Sequence, residues 1–422
     1  MPNRPEVRTL ADTPDALRDW LRALNTGFYR GTEVTPEEVE VRRGGTDPER
    51  TQGAYEDGRC VATFRTTPQR LTVPGGAALP SCAVTNVTVS PTHRRRGLLT
   101  EMMANGLAAA RERGDAFASL ISAEYPIYGR YGFGAAAWTT EWEVEVARTG
   151  LGRRYSGPAD DGDGGRVDLV DAATYRETAA AAHERFRAQP QRQGAIDRTD
   201  RWWRLYTGGL RFPGDGFDSP FLAVYRDADG VPRGAVAYTV DNRWESKQPQ
   251  QTATVDDLFA STPEGERALW RYVLSMDWVL KVRTGLRAPD DILPLLLPDP
   301  RAARTLTHAD FLWLRPLDVP AMLEARTYAV PGTLVLDVRD KAGFAGGRYR
   351  LEAGPDGTSC RTTHDEPDLS LDAGELGALY LGDESAVRLA ALGRIAEHRA
   401  GGAAGADTLF RTARRAWCPD IF

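Results

Sequence analysis

The residues best suited to chemistry lie close together. Arg94, Arg95, Arg96 and Gly97 form a short basic turn, and a helical pattern begins at Leu98. A helix start offers free backbone N–H groups and the positive end of the peptide dipole, which together suit a phosphate or pyrophosphate. Gly97 lets the backbone approach the anion, and the arginines add charge and forked donors. Further on, residues 123–134 bring three phenols, Tyr125, Tyr128 and Tyr131, among glycines and a proline. Each phenol is a donor able to protonate a leaving group.

The elements that must hold these groups flank them. Val84, Val87 and Val89, interleaved with Thr85 and Thr88, make a β-branched run that reads as a buried strand. Pro91 ends it, having no N–H to donate. Leu99, Met102, Met103, Gly106 and Leu107 recur at helical spacing. Residues 116–122 read as the next buried strand, and residues 137–146 as the last strand of the unit. Upstream, residues 7–10 read as a strand and Thr13-Pro14 opens an amphipathic helix to about Leu24. A loop over 25–35 carries Phe28 and Tyr29, and residues 59–66 and 69–73 alternate like two paired strands.

The turn resembles the acetyl-CoA-binding segment of the GCN5-related N-acetyltransferases, Arg/Gln-x-x-Gly-x-Gly/Ala. Arg94, Gly97 and Leu99 fall at its positions, with Leu99 in place of the usual small residue. The longer string Pro91-Thr92-His93-Arg94-Arg95-Arg96-Gly97-Leu98-Leu99 is similar to the enhanced intracellular survival (Eis) family of these enzymes. The resemblance implies acetyl-CoA as co-substrate. It would be held by Val87, Thr88 and Val89, by Arg94, Arg95, Arg96 and Gly97 with Leu98, Leu99 and Thr100, and by Ala123 and Glu124. It also ranks Tyr128 first among the phenols, because Ile127-Tyr128-Gly129-Arg130 resembles the family's motif around its acid. The family's base is the chain's own C-terminal carboxylate, here that of Phe422. Trp417, Ile421 and Phe422 are apolar enough to anchor such a tail, and burial would raise an α-carboxylate from about 3.5. Asp420 is a further candidate, for holding a cationic substrate.

The rest of the chain fits a repeated plan. Residues 150–165, rich in Gly, Asp and Arg, read as a linker. Beyond it come a strand at 166–170, a helix at 172–187, a hairpin of 221–225 with 234–240 around Asp229-Gly230, a strand at 252–259 and a helix after Gly265. Here Thr262-Pro263-Glu264-Gly265 stands where the basic turn stood, and Glu264 and Glu266 would repel a pyrophosphate. Asp299-Pro300 and Arg315-Pro316 bracket the next boundary. After it, strands at 332–338, 347–352 and 369–372 precede three helices near 373–381, 384–397 and 407–416. The expected fold is α/β: two tandem acetyltransferase-fold domains, 1–148 and a degenerate 149–314, then a sterol-carrier-like α+β domain over 315–422.

With 422 residues, two to four domains are expected. A net charge of −6 argues against a nucleic-acid binder. Cys60, Cys82, Cys360 and Cys418 lack metal-ligand spacing and the histidines stand apart, so no metal is expected. No run approaches a membrane span of roughly 18 apolar residues, and a cytoplasmic protein with reduced thiols is expected.

Acetyl transfer to an amine needs a base for the ammonium, donors for the developing oxyanion and an acid for the thiolate. Backbone N–H groups near residues 87–89, Tyr128 and the terminus would supply them. The resemblance implies aminoglycoside-like or polyamine substrates, acetylated at one or more amines, and a homohexamer built as a dimer of trimers. A peptide or protein N-acetyltransferase is the alternative among enzymes. A non-catalytic CoA- or lipid-binding protein is the alternative outside them.

Overall fold

The computed structural model describes residues 4–151, 164–213, 216–354 and 357–422; residues 152–163 of the expected linker lie outside them. The first part runs β1 (Glu6–Thr9), α1 (Pro14–Gly27), α2 (Pro36–Arg43), β2 (Thr51–Glu56), β3 (Arg59–Thr72), β4 (Ala78–Val89), α3 (Leu98–Glu112), β5 (Phe117–Ile121), α4 (Tyr125–Tyr128) and β6 (Gly134–Glu145). The second runs β7 (Arg166–Leu169), α5 (Ala172–Arg187), α6 (Asp200–Tyr206), β8 (Phe221–Arg226), β9 (Pro232–Val240), β10 (Trp244–Glu245), β11 (Gln248–Pro249), β12 (Gln251–Ala260), α7 (Pro263–Leu274), β13 (Val279–Arg283), α8 (Leu293–Leu296) and β14 (Ala303–Pro316). The third runs α9 (Val319–Ala325), β15 (Gly332–Arg339), β16 (Gly347–Gly354), β17 (Gly357–Thr362), β18 (Leu369–Asp372), α10 (Ala373–Tyr380), α11 (Ala386–Ala391), β19 (Ile395–Glu397) and α12 (Gly402–Phe410).

The local signals act where they stand. Thr13 caps α1, its hydroxyl accepting from Ala16 N, and Pro14 fills the first turn. Leu17, Trp20, Leu21 and Leu24 are the buried face of α1. On α3 the buried residues are Met102, Met103, Gly106, Leu107 and Ala110, with Leu98 buried in place of the expected Leu99, which is half-buried.

The first two parts share one twelve-stranded sheet, in the order β1-β2-β3-β4-β5-β14-β6-β13-β12-β9-β8-β7. The strand over 303–316, where the sequence indicated a boundary, lies antiparallel between β5 and β6. Leu312, Trp313 and Leu314 fill the gap, all buried. The third part builds its own sheet, β17-β16-β15-β18-β19, over a large apolar core.

Other sequence expectations change in detail. The strands expected at 59–66 and 69–73 are one strand, which runs through Pro68 and pairs with both β2 and β4. The helix expected over 384–397 is only α11; Gly393, at φ 70°, turns the chain into β19. The helix expected over 407–416 is α12, shifted earlier, and residues 411–422 form no helix or strand. That tail is fastened to the second part instead. Trp417 N donates to Gln193 O at 3.0 Å, Gln193 Nε2 to Arg414 O at 2.6 Å and Trp417 Nε1 to Leu286 O at 3.2 Å. Arg414 also pairs with Asp290 at 2.8 Å. These tertiary bonds satisfy backbone groups that a helix would otherwise satisfy.

Candidate active site

β4 opens the site. Its parallel pairing with β5 is confined to Ser81–Phe117, Cys82–Ala118 and Ala83–Ser119. From Val84 to Val89 no described strand pairs on that side. On the other side the register with β3 shifts between Thr63 and Arg65, and Asn86 takes φ 53° there. This is a bulge, which bends the strand away from its neighbour. Thr63 Oγ1 holds it by donating to Asn86 O at 2.8 Å.

The basic turn follows. Pro91–His93 make one tight turn; then Arg95 at φ 64° and Gly97 at φ 82° swing the chain into α3. Gly97 supplies no side-chain cap to α3, so its first N–H groups face outward unblocked. Arg94, Arg95, Arg96, Gly97 and Thr100 are exposed, Leu98 is buried and Leu99 half-buried. Arg96 is tied to Glu56 at 3.3 Å, and His93 Nε2 lies 2.7 Å from the same carboxylate. The His93 hydrogen bond chiefly holds Glu56 below the usual carboxylate range. Arg94 reaches the Tyr29 hydroxyl at 3.3 Å.

The three phenols separate. Tyr125 is exposed and lies edge-on to Trp313 at 4.9 Å. Tyr131 reaches Thr100 Oγ1 at 3.2 Å. Tyr128 packs edge-on to Phe133 and is half-buried, its hydroxyl committed to no protein partner among the described residues. Burial, then Glu124 and Tyr131, push its phenol up to about 12. Val87, Val89, Leu99, Tyr128 and Tyr131 all pack against one buried cluster containing Leu98, Leu120 and Phe133. Thr88 is buried nearby, while Ala123 and Glu124 are exposed at the end of β5. Arg315 fixes this segment from β14, donating to Tyr131 O at 2.6 Å and to both oxygens of Asp340 at 2.8 Å.

Phe422 reaches the first part from the opposite end of the sequence. It lines a cavity of about 460 Å³ together with Trp20 and Leu24 of α1, Asn86 of the bulge, Arg65, Asp197 and Trp202. Tyr128 is not in that lining. The two candidates are related through adjacent residues of β4: Asn86 faces the cavity, and Val87 packs in the cluster with Tyr128. Asp420 does not face a substrate; it is buried against Arg198. Sequence reasoning missed Arg198, which holds it, and Asp257, which shares that arginine. The adjacent carboxylates Asp256 and Asp257 between Val255 and Leu258 of a largely buried strand were the available signal.

Among the described residues no group of three or more His, Cys, Asp or Glu is placed to hold a metal. No helix there is long and apolar enough to cross a membrane. All four cysteines are free and buried.

Two models described as "Acetyltransferase (GNAT) domain" match residues 6–136 and 194–316, and a "Sterol carrier protein domain" model matches 319–419. An uncharacterized N-acetyltransferase of Streptomyces avermitilis is 58% identical, covering 100% of this chain and 99% of its own. N-acetyltransferase Eis of Mycobacterium tuberculosis is 35% identical over 77% of each chain. The crystal structure of Eis1 from Mycobacterium abscessus superposes with a TM-score of 0.83 at 30% identity, over 99% of this chain and 100% of that one. The chain belongs to the Eis family of GCN5-related N-acetyltransferases. As an Eis-family enzyme it is an N-acetyltransferase. It carries two tandem acetyltransferase folds followed by a sterol-carrier-like domain. In the second fold, Thr262 caps α7 by accepting from Gly265 N at 3.2 Å, and Glu264 and Glu266 occupy its first turn. A capped, acidic helix start is a poor seat for a pyrophosphate.

Proposed function

We propose that this Eis-family enzyme transfers the acetyl group of acetyl-CoA to an amine of a small molecule. Acetyl-CoA would supply the acetyl group as a thioester. The fit rests on the uncapped start of α3, the exposed arginines before it and the unpaired edge of β4. Val87, Thr88 and Val89, residues 94–100, and Ala123 with Glu124 would hold it.

The chain's own groups divide the proton work. The terminal carboxylate of Phe422 takes the proton that the acceptor ammonium must lose before its nitrogen can attack. Tyr128, protonated at all working pH values, gives its phenolic proton to the departing sulfur. The N–H groups along residues 87–89 stabilise charge developing on the carbonyl oxygen. The observation that carries this reading is the arrival of Phe422 in a cavity floored by the β4 bulge.

The resemblance implies aminoglycoside-like or polyamine acceptors, modified at one or more amines. A peptide or protein amine is the second reading; a cavity of about 460 Å³ is of the size that takes a small molecule. A division into 1–148, 149–314 and 315–422, a cytoplasmic location and a homohexamer built as a dimer of trimers belong to the same proposal.

The test is CoA release with a panel of amines, comparing the natural chain with one extended by a few residues beyond Phe422. The extension displaces the carboxylate without touching the acetyl-CoA residues. Loss of most turnover with acetyl-CoA binding retained supports the terminal base; an extended enzyme of full activity refutes it.

A further inference from the structure

The charge of the acceptor cavity points away from a simple polycation. Its lining carries three arginines, Arg42, Arg65 and Arg201, against one side-chain carboxylate, Asp197, and the terminal carboxylate of Phe422, which the acceptor amine would engage. Asp197 already accepts from Arg70 N at 2.7 Å. Arg42 is neutralised by Glu38 at 2.7 Å and lies 4.1 Å over the Phe212 ring. Neither Arg65 nor Arg201 makes an ion pair among the described residues, and Asp47 attracts Arg65 only from farther off. Arg65 donates to Gly45 O, and its buried Nε has no partner. Arg201 donates to Val41 O at 2.7 Å and, among the described residues, makes no ion pair with an Asp or Glu side chain.

The turn after α2 builds this arrangement. Gly45 lies between the two guanidinium groups: Arg65 bonds its carbonyl, and a Cβ on it would stand 2.2 Å from Arg201 Nε. Only glycine lets Arg201 lie so close. Burial, then Arg201 and Arg42, hold the Arg65 guanidinium below its ordinary range. An arginine stays charged even so. Two half-sheltered cations side by side, one with an idle donor, repel each other and attract an anion. Acetyl-CoA held as proposed would not be that anion, because none of residues 87–100 lines the cavity.

We propose that the acceptor taken by this cavity carries a carboxylate or phosphate, gripped by Arg65 and Arg201, while its amine lies toward Asn86 and Phe422. This rests on reading the cavity as the acceptor site. An aminoglycoside or polyamine would bring further positive charge to two unmatched arginines. An amino acid or an amino-sugar phosphate brings both the amine and the counter-charge.

Matched acceptors test this: lysine against cadaverine, and glucosamine 6-phosphate against glucosamine, beside an aminoglycoside and spermidine. Kinetics are followed by CoA release for the natural chain, Arg65→Gln, Arg201→Gln and the conservative Arg201→Lys. The expected result is a kcat/KM about ten- to a hundredfold higher for at least one anion-bearing partner. The lysine and sugar-phosphate arms separate a carboxylate from a phosphate. Both glutamine variants should erase the preference by raising the acceptor KM, with Arg201→Lys between. Equal or better turnover of cadaverine, glucosamine or the polycations overturns the inference while leaving acetyl transfer standing. So does an Arg201→Gln effect confined to the KM for acetyl-CoA, which would assign the arginines to the donor. If no amine releases CoA, calorimetry with lysine and glucosamine 6-phosphate decides. Binding lost in Arg201→Gln keeps the anion site and sinks the proposed transfer; absence of binding overturns the anion site.

Discussion

Arg198 Nε lies 2.9 Å from Asp420 Oδ1, and the other two nitrogens of the same guanidinium meet Asp257 at 2.6 and 3.0 Å. Arg198 also lies 4.1 Å over the Trp202 ring. One arginine thus fixes the backbone just before Phe422 to β12, and does so in a fully buried place. The position of the proposed base is set there rather than at the terminus itself.

Arg198→Met should therefore act on both stability and catalysis. It leaves Asp257 and Asp420 buried without their cation, a loss of about 3 to 5 kcal/mol. Urea denaturation reads the first effect. CoA release reads the second, with kcat falling while acetyl-CoA binding persists. A variant that unfolds as the natural chain does would show that the network carries no load.

The same network has a pH signature. Burial pushes the Asp420 carboxyl up to about 6 from an ordinary 3.8, against the pull of Arg198. A group that holds its proton more tightly when folded contributes stability that is complete below about pH 4 and is lost as pH rises through about 6. Asp420→Asn removes this titration. In paired melts the natural chain should lose ground to that variant between pH 4 and 6.5. A difference that stays level across this window would refute the assignment.

Tyr128→Phe should lower kcat by about 10²- to 10⁴-fold, with acetyl-CoA affinity little changed. Because the phenol is pushed up to about 12, no limb of the natural enzyme's pH–rate profile below about pH 10 should belong to it. A limb near pH 7 that vanishes in the Phe variant would contradict the environment described for this residue.

Gly97→Ala isolates the turn. A Cβ there would meet only Arg4 Nη2, at 3.9 Å, so crowding within the protein is not the issue. The cost is φ 82°, about 1 to 2 kcal/mol for an L side chain, together with a methyl where the proposed pyrophosphate would approach. The expected outcome is a raised KM for acetyl-CoA at nearly constant kcat. Unchanged KM would place the pyrophosphate elsewhere.

The legible parts of this molecule are those whose causes are local. The β-branched run into Pro91, the basic turn and the apolar face of α3 each stand on neighbours in sequence and form the expected strand, turn and helix, although Val87, Val89 and Leu99 are half-buried and Leu98 takes the core position. β14 was not legible, although Phe311, Leu312, Trp313 and Leu314 form an apolar run. Pro300 and Pro316 punctuate it like a boundary, and its partners Ala118 and Ala137 are far away in the chain. The tail misled for the opposite reason. Ala413 to Ala416 favour a helix, but Arg414 and Arg415 are claimed by Asp290 and Asp383. At the cavity, Arg65 and Arg201 have no mutual spacing in sequence; the Gly45 turn brings them together.

The seat of β14 between β5 and β6 bears on how the enzyme is made. During synthesis, the first acetyltransferase fold emerges with a slot open through its sheet, and the strand that closes it follows only after the whole second fold. Until then the edges of β5 and β6 stand unpaired, a surface that invites wrong partners. The second fold, whose own helix start is capped and acidic, thus delivers the strand that completes its neighbour. Excising it would not leave a smaller working enzyme, but an unfinished one.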